Sequence, residues 1–382
     1  MTLMINDIAD VINISVSNPA ESEYDIFVGL EHYDVGEPII TRYGSTKMLT
    51  TACKKFSAGD ILLARRNVYL RRAGLVKFDG LTSGDSIVIR IKPNLSIEGV
   101  NSQEISRLLP FVLNTNAFWD FANTNSDGTM SKRLSPQMLL SYEFNLPPFS
   151  NQKPLADKLW AAYSLKASKL KLIDAIDEMV KSQFIEMFGG NKVDYVQLSS
   201  LCSTFIDGDW IESKDQSESG IRLIQTGNVG CGEYKDKGDK AKYITEDTFN
   251  KLHCTEIYPG DILISRLPDP VGRACVLPEG LGKCVTAVDC TIIRFSEKIL
   301  PNFFVAYTNT PEYLTQIKST LAGTTRLRVS RGNLGKVKIP VPSIEQQRTF
   351  VSIAEQADKS KFELKKSIEA IDKVIKSLIN NI

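Results

Sequence analysis

The residues with the greatest chemical reach in this sequence are cations gathered at turns. In the first half they are Arg65, Arg66, Arg71 and Arg72, with Tyr69 among them, then Lys132 and Arg133; Lys54 and Lys55 precede them. In the second half they are Arg266, Arg273, Arg326, Arg328 and Arg331. A guanidinium fork binds phosphate, or the major-groove edge of guanine, through two parallel hydrogen bonds, so arginine-bearing turns suit a surface that faces nucleic acid. Any single cluster could equally be a solvated face. Recurrence at equivalent places in two halves favours binding. Tyr33, Tyr43 and Trp210 also stand among turn residues and are secondary candidates for stacking on bases, with a core position as the alternative.

Nothing in the sequence supplies a reaction. Asn145-Leu146-Pro147-Pro148-Phe149 approaches the Asn/Asp-Pro-Pro-Tyr/Phe loop of a methyltransferase with one residue inserted, but it lies at a helix entry without a glycine-rich cofactor turn. Pro268-Asp269 has no downstream Glu-x-Lys to complete a nuclease site, and there is no Gly-x-x-x-x-Gly-Lys-Ser/Thr phosphate loop. The histidines are His32 and His253, and the seven cysteines contain no Cys-x-x-Cys pair, which argues against zinc. No catalytic residue, metal site or cofactor of its own is expected.

Composition is that of an ordinary soluble chain: 382 residues, 42% hydrophobic, 24% charged, with a formal net charge of +1. A role on nucleic acid must therefore come from local clusters and not from a global field. The first residues lack a signal peptide's basic start and apolar core, and no apolar run reaches the roughly 18 residues of a membrane span. A cytoplasmic protein with reduced, mostly buried thiols and no membrane contact is expected.

The elements that must position the arginines are arranged twice. Apolar residues Phe350, Ala354, Ala357, Leu364, Ile368, Ile371, Ile375, Leu378 and Ile382 alternate steps of four and three, with Lys361 at the one misfit. That 3.5-residue repeat keeps one stripe of a long helix against a partner helix. The seam recurs 195 residues upstream from Leu155 to Met187, through Leu159, Ala162, Lys169, Ile173, Ile176, Val180 and Gln183, and the misfit recurs at Lys166. One such stripe alone would be an ordinary amphipathic helix; two matching seams make each helix the natural partner of the other.

The globular parts repeat as well, and read as strand-rich with a few helices. Gly59-Asp60-Ile61-Leu62-Leu63-Ala64-Arg65 answers Gly260-Asp261-Ile262-Leu263-Ile264-Ser265-Arg266, with five of seven positions identical. The pattern predicts a turn, a buried strand, and an arginine delivered at its far end. Phe27–Gly36 answers Leu223–Gly230, Ser86–Arg90 answers Cys290–Arg294, and Gly128–Ser135 answers Gly323–Ser330. The boundaries drawn from these repeats are a first domain over 1–149, a helix over 150–190, a second domain over 191–342 and a helix over 343–382.

Two halves that each close with a Gly-Thr-x-x-x-Arg-x-Ser segment, a proline step, a glutamine (Gln152, Gln347) and a heptad helix resemble the specificity subunit of Type I restriction-modification enzymes. Leu223–Gly230 and Gly260–Arg266 carry the resemblance most clearly; the first half departs from it at Met130-Ser131-Lys132. The resemblance implies an α+β fold: two β-rich target recognition domains in pseudo-twofold repeat, joined by two long antiparallel coiled-coil helices. It implies that each half reads one part of a bipartite double-stranded DNA target. It further implies two modification (methyltransferase) subunits bringing S-adenosylmethionine, and restriction subunits bringing ATP and Mg, so that the chain selects the site without catalysing. A two-headed adaptor that binds proteins, or a self-sufficient methyltransferase or nuclease, are the alternatives.

Within that picture Phe184, Met187 and Phe188, beyond the paired stretch, either dock the modification subunits or fold back on their own domain. Lys166 and Lys361 could fix the helix register. A helix of about 38 residues at ~1.5 Å each is roughly 57 Å long, so helix length should set the gap between half-sites. Inserting one helical turn near Ser182, matched in the opposing helix, is expected to lengthen the gap and leave both half-sites unchanged; methylation mapping that shows altered half-sites would refute it.

Overall fold

The computed structural model describes residues 1–93, 95–128, 131–189, 193–322 and 327–380. Arg326 and most of the second Gly-Thr turn lie outside the described residues, as do Thr129 and Met130 of the first. The chain forms two compact units: Met1–Lys169 with Lys366–Ile382, and Leu170–Lys365. The boundary cuts across both long helices, so each unit is a sheet-rich head together with a piece of each helix.

In unit 1, four antiparallel strands lie in the order Ala9–Ile12, Ser86–Ile91, Ile61–Ala64, Ala73–Leu75. Unit 2 repeats the order with Cys202–Asp207, Cys290–Phe295, Ile262–Ser265 and Ala274–Val276. The reason lies in the Gly-Asp strand. Gly59 (φ 94°) and Gly260 (φ 90°) adopt left-handed backbone that only glycine takes without strain. The strands that follow are buried on both faces. Because side chains alternate, Ile61 and Leu63 enter a core with Leu108 and Phe111, while Leu62 and Ala64 enter another with Phe56 and Val88.

The aspartates of the motif are structural. Asp60 receives Nε–H and an η N–H of Arg90, both at 2.7 Å, and the Ser57 backbone N–H at 2.7 Å. Asp261 receives the same groups from Arg294 (2.7 and 2.9 Å) and the Tyr258 N–H (2.8 Å). Each pair ties the start of the inner strand to its neighbour. A second sheet in each unit carries a parallel pair, Ile26–Val28 with Gly80–Thr82 and Ile221–Ile224 with Cys284–Thr286.

The long helices span Phe149–Phe188 and Ile344–Ile379. The second starts in a Ser-x-x-Gln capping box: Ser343 Oγ accepts the Gln346 N–H at 3.3 Å, and the Ser343 N–H reaches back to Gln346 Oε1 at 3.1 Å. All ten upstream seam positions are buried or half-buried, and so are the downstream ones through Leu378. In unit 2 Lys361 meets Asp177 at 2.8 Å, while Phe350 packs on Phe184 and Phe188 at 5.1 and 5.8 Å between ring centres. Steps forward on one helix are steps back on the other, so the two run antiparallel. In unit 1 Lys166 meets Asp372 at 3.0 Å. The two lysines are 195 residues apart, and so are the two aspartates. The misfits of the seam thus form a reciprocal set of ion pairs. Burial opposes the charge of Lys166, yet its hydrogen bonds to Glu37 and Asp372 prevail and hold its pKa above the usual lysine value.

Each helix is fastened to its head by one buried glutamine. Gln152 accepts the Asn101 N–H (3.0 Å) and donates to the carbonyls of Gly99 (2.6 Å) and Pro147 (3.1 Å). Gln347 accepts the Leu300 N–H (2.8 Å) and donates to Lys298 and Pro342 (both 2.9 Å). Among the described residues no helix is long and apolar enough to cross a membrane. All seven cysteines are free, and Cys231 is the exposed one.

Candidate nucleic-acid interface

The arginines divide into those that hold the head together and those that face outward. Arg72 and Arg273, equivalent by position relative to the Gly-Asp turn, belong to the first kind. Arg273 is 8% exposed and donates to four carbonyls: Val229 (2.6 Å), Leu267 (2.7 Å), Pro270 (2.9 Å) and Thr226 (2.8 Å). Arg72 donates to Leu30 O and Arg66 O, both at 3.0 Å. Leu30 and Thr226 are themselves equivalent, so the same staple joins the same two turns in both units. Backbone carbonyls engage the forks of both, which leaves Arg273 buried and Arg72 half-buried.

The arginines at the far end of the Gly-Asp strands are also drawn inward. Arg266 is 4% exposed, donates to Val288 O at 2.6 Å and lies 3.4 Å from Asp207. Arg65 is half-buried, and its backbone N–H bonds to Asp85 O as that of Arg266 bonds to Asp289 O, both at 2.9 Å. Arg266 therefore does not face outward, and Arg65 does so in part.

The second kind surrounds the carboxylates of Asp85 and Asp289, equivalent residues just before the Ser86–Ile91 and Cys290–Phe295 strands. Asp85 meets Arg133 at 3.3 Å and Arg66 at 3.6 Å. Asp289 meets Arg328 at 3.5 Å. Arg133 and Arg328 are 195 residues apart, so the ion pair is one feature made twice. The cations remain about half exposed, at 45% for Arg66, 48% for Arg133 and 51% for Arg328. Ion pairs so exposed add little stability, and here they orient a fork that remains open to solvent. Arg331, 4.0 Å from Asp207, lies beside Arg266 and extends this surface in unit 2.

In unit 1 exposed Lys132 adjoins the cluster, and Arg66 Nε donates to Ser131 Oγ at 2.9 Å. Arg71 extends it, donating to Asn116 Oδ1 at 2.7 Å. Arg71 (φ 52°) and Asn67 (φ 54°) are left-handed and bracket the single turn Val68–Leu70, whose Tyr69 is 62% exposed. Of the aromatic candidates, Tyr33 is core: its hydroxyl bonds Ser86 Oγ at 2.8 Å and burial pushes its pKa up to about 12. Tyr43 and Trp210 are exposed.

Phe184 (2% exposed) and Phe188 (0%) fold back into the core of unit 2 with Phe303, Tyr307 and Phe350, and Met187 packs against the same cluster. Their rings are covered within their own unit. The Asp60–Arg90 and Asp261–Arg294 pairs escaped the sequence reading, although both partners recur in the repeats.

Residues 191–372 match the model of the family described as the Type I restriction modification DNA specificity domain. Two Methanocaldococcus jannaschii proteins are similar. One, described as the putative type I restriction enzyme MjaX specificity subunit, is 23% identical over 62% of this chain and 57% of its own length. The other, described as the type I restriction enzyme MjaVIII specificity subunit, is 21% identical over 68% of this chain and 65% of its own. The aligned stretches thus span less than two thirds of either relative.

Among solved structures, a chain from a study of complex assembly and conformational transition of the type I R-M system superposes with a TM-score of 0.58. It is 17% identical, over 100% of this chain and 96% of that one. The S subunit of a Type-I restriction-modification system from M. genitalium gives 0.52 and 14%, over 99% and 94%. At these identities the structures speak to fold.

Proposed function

We propose that this chain is a specificity subunit of a Type I restriction-modification enzyme, which binds double-stranded DNA and selects the site on which partner subunits act. Each unit reads one half of a bipartite target. Two modification subunits supply S-adenosylmethionine and the adenine-methylating chemistry, and restriction subunits supply ATP- and Mg-dependent steps. The chain itself is the recognition element. A protein-binding adaptor and a self-sufficient enzyme are not favoured.

The observation that carries this reading is the cation turn made twice, Arg133 on Asp85 and Arg328 on Asp289. The carboxylates hold the forks at the surface, where phosphate oxygens compete for them and the displaced counterions favour binding at low salt. Arg66, Arg71 and Lys132 extend the cationic surface in unit 1, and exposed Tyr69 between Arg66 and Arg71 is placed to contact sugar or base.

Genome-wide adenine methylation, mapped by single-molecule sequencing in cells with and without this chain and its neighbouring modification subunit, tests the reading. The expected result is a split motif, two short words around a fixed gap, that is lost on deletion. An unchanged methylome alongside an active modification subunit would overturn it. For the surface itself, Arg328→Ala is expected to weaken target binding about ten-fold at physiological salt and to flatten the log-affinity against log-salt slope by about 1. Arg328→Lys should keep most of the slope. An unchanged slope in the alanine variant would remove this turn from the interface.

A further inference from the structure

In unit 2 the stretch that leaves the edge strand Cys202–Asp207 is held against the loop that precedes the strand Cys290–Phe295. The Gly208 N–H donates to Cys290 O and the Asp209 N–H to Thr286 O, both at 2.8 Å. The approach requires a glycine, because a Cβ at position 208 would lie 2.5 Å from the carbonyl oxygens of Thr286 and Ala287. Asp209 in turn accepts the Thr255 N–H at 2.8 Å, and Ile211 packs on the core around Leu223 and Ile244. Between these two fixed residues stands Trp210, 70% exposed.

Single exposed apolar residues are common on protein surfaces, so exposure alone assigns nothing. This indole is also oriented. Its N–H donates to Glu212 Oε1 at 3.2 Å; the Glu212 carboxylate is paired with Lys214 at 2.7 Å, and the Glu212 backbone N–H bonds to Asp215 at 3.1 Å. The ring stands beside the cationic turn as well. Asp207, three residues earlier, meets Arg266 and Arg331, and the loop along which the stretch lies carries Val288 and Asp289, the partners of Arg266 and Arg328. Three residues of chain span at most about 10 Å.

Unit 1 has no ring at the equivalent place. Val88 pairs with Ile12, and its counterpart Ile292 pairs with Ile206, so by register Trp210 corresponds to Val16. Val16 is half-buried and pairs with Cys53 in the second sheet. The ring beside the cations of unit 1 is exposed Tyr69, on the turn Val68–Leu70. The pairs of arginine with aspartate are thus made twice, whereas the rings come from different elements. A feature common to both heads suits the phosphates, which are alike in every sequence; a feature that differs suits the bases.

We propose that Trp210 is a specificity-determining residue of unit 2, whose indole packs on the C5-methyl group of a thymine in the major groove. With its N–H engaged by Glu212, the ring offers apolar faces and an apolar edge. The thymine methyl is the apolar group that base pairs display in that groove. The inference rests on the DNA reading and adds to it the residue and the chemical group through which one head reads its word.

A double-mutant cycle tests it. The full chain, assembled with its neighbouring modification subunit, is titrated onto a fluorescein-labelled duplex that carries the split motif mapped by methylation, and binding is followed by anisotropy. Each thymine of both words is replaced in turn by uracil, which removes the methyl and nothing else. At one thymine of one word, uracil is expected to weaken binding about four-fold, the worth of one buried methyl-sized group. In Trp210→Ala the thymine duplex should be bound more weakly by at least that factor, and the uracil duplex no more weakly than the thymine duplex. Its log-affinity against log-salt slope should stay that of the unsubstituted chain, since no phosphate contact is lost. Trp210→Gln should behave in the same way and serves if the alanine variant folds poorly. Equal sensitivity to uracil with and without Trp210, or a motif in which no thymine couples to it, overturns the assignment. If the assembled chain does not bind the mapped duplex at all, the DNA reading falls and this inference with it.

Discussion

Phe350→Ala lowers the stability of unit 2 by about 4 kcal/mol, the range found when a buried aromatic ring is cut to a methyl. Phe350 is fully buried and packs edge-on against Phe184, Phe188 and Phe303, at 5.1, 5.8 and 6.1 Å. Those rings come from two separate stretches of chain, the end of the helix Phe149–Phe188 and the helix Pro301–Tyr307, each fixed by its own packing, so neither can move in to close the cavity. The lost transfer energy and the cavity term therefore add. Denaturation in guanidinium chloride followed by far-ultraviolet circular dichroism is the measurement, with Phe350→Leu losing less than half as much. Exposed Leu165→Ala, on the same kind of helix, should stay within about 0.5 kcal/mol. Equal losses for Phe350→Ala and Leu165→Ala would mean that the ring cluster does not carry the core.

Arg273→Met is expected to be of similar size, about 3–5 kcal/mol, for a different reason. Methionine keeps most of the side-chain stem but strips hydrogen bonds from four carbonyls that face one buried guanidinium. The turn at Thr226–Asn228 then loses its tie to the segment Leu267–Arg273. The same titration detects the loss. If Arg273 were instead a DNA contact, stability would be unchanged while affinity fell; that pattern would refute the assignment. The contrast with Arg328→Ala, which should lose affinity and little stability, separates the two kinds of arginine.

The long helices were legible because their signal is periodic. Seam positions from Leu155 to Met187 and from Phe350 to Leu378 were placed by spacing alone, and burial follows that spacing. The Gly-Asp strands were legible through repetition, since a glycine with positive φ and a fully apolar run leave few alternatives. The fates of the arginines were not legible. Whether a guanidinium meets solvent or backbone carbonyls more than forty residues away depends on tertiary placement, which is why Arg72 and Arg273 read as surface although carbonyls of a distant turn engage their forks. Phe184 and Phe188 were ambiguous for a related reason: a heptad position says that a residue is covered, and not by what. The lysines at the seam looked like defects until their aspartates, at positions the apolar pattern ignores, were seen opposite them.

The glutamine fastening has a mechanical consequence. Gln152 makes three hydrogen bonds that join the loop at Gly99–Asn101 and the carbonyl of Pro147 to the first turns of its helix, and Gln347 does the same in unit 2. A hinge at the helix entry would allow a head to swivel about the helix axis. Three bonds from one amide, spread over two strands of chain, leave no such free rotation. Torque applied to a head is therefore passed to its helix as twist, and the angular phase between a head's cationic turn and the faces of its helix is a fixed property of each unit.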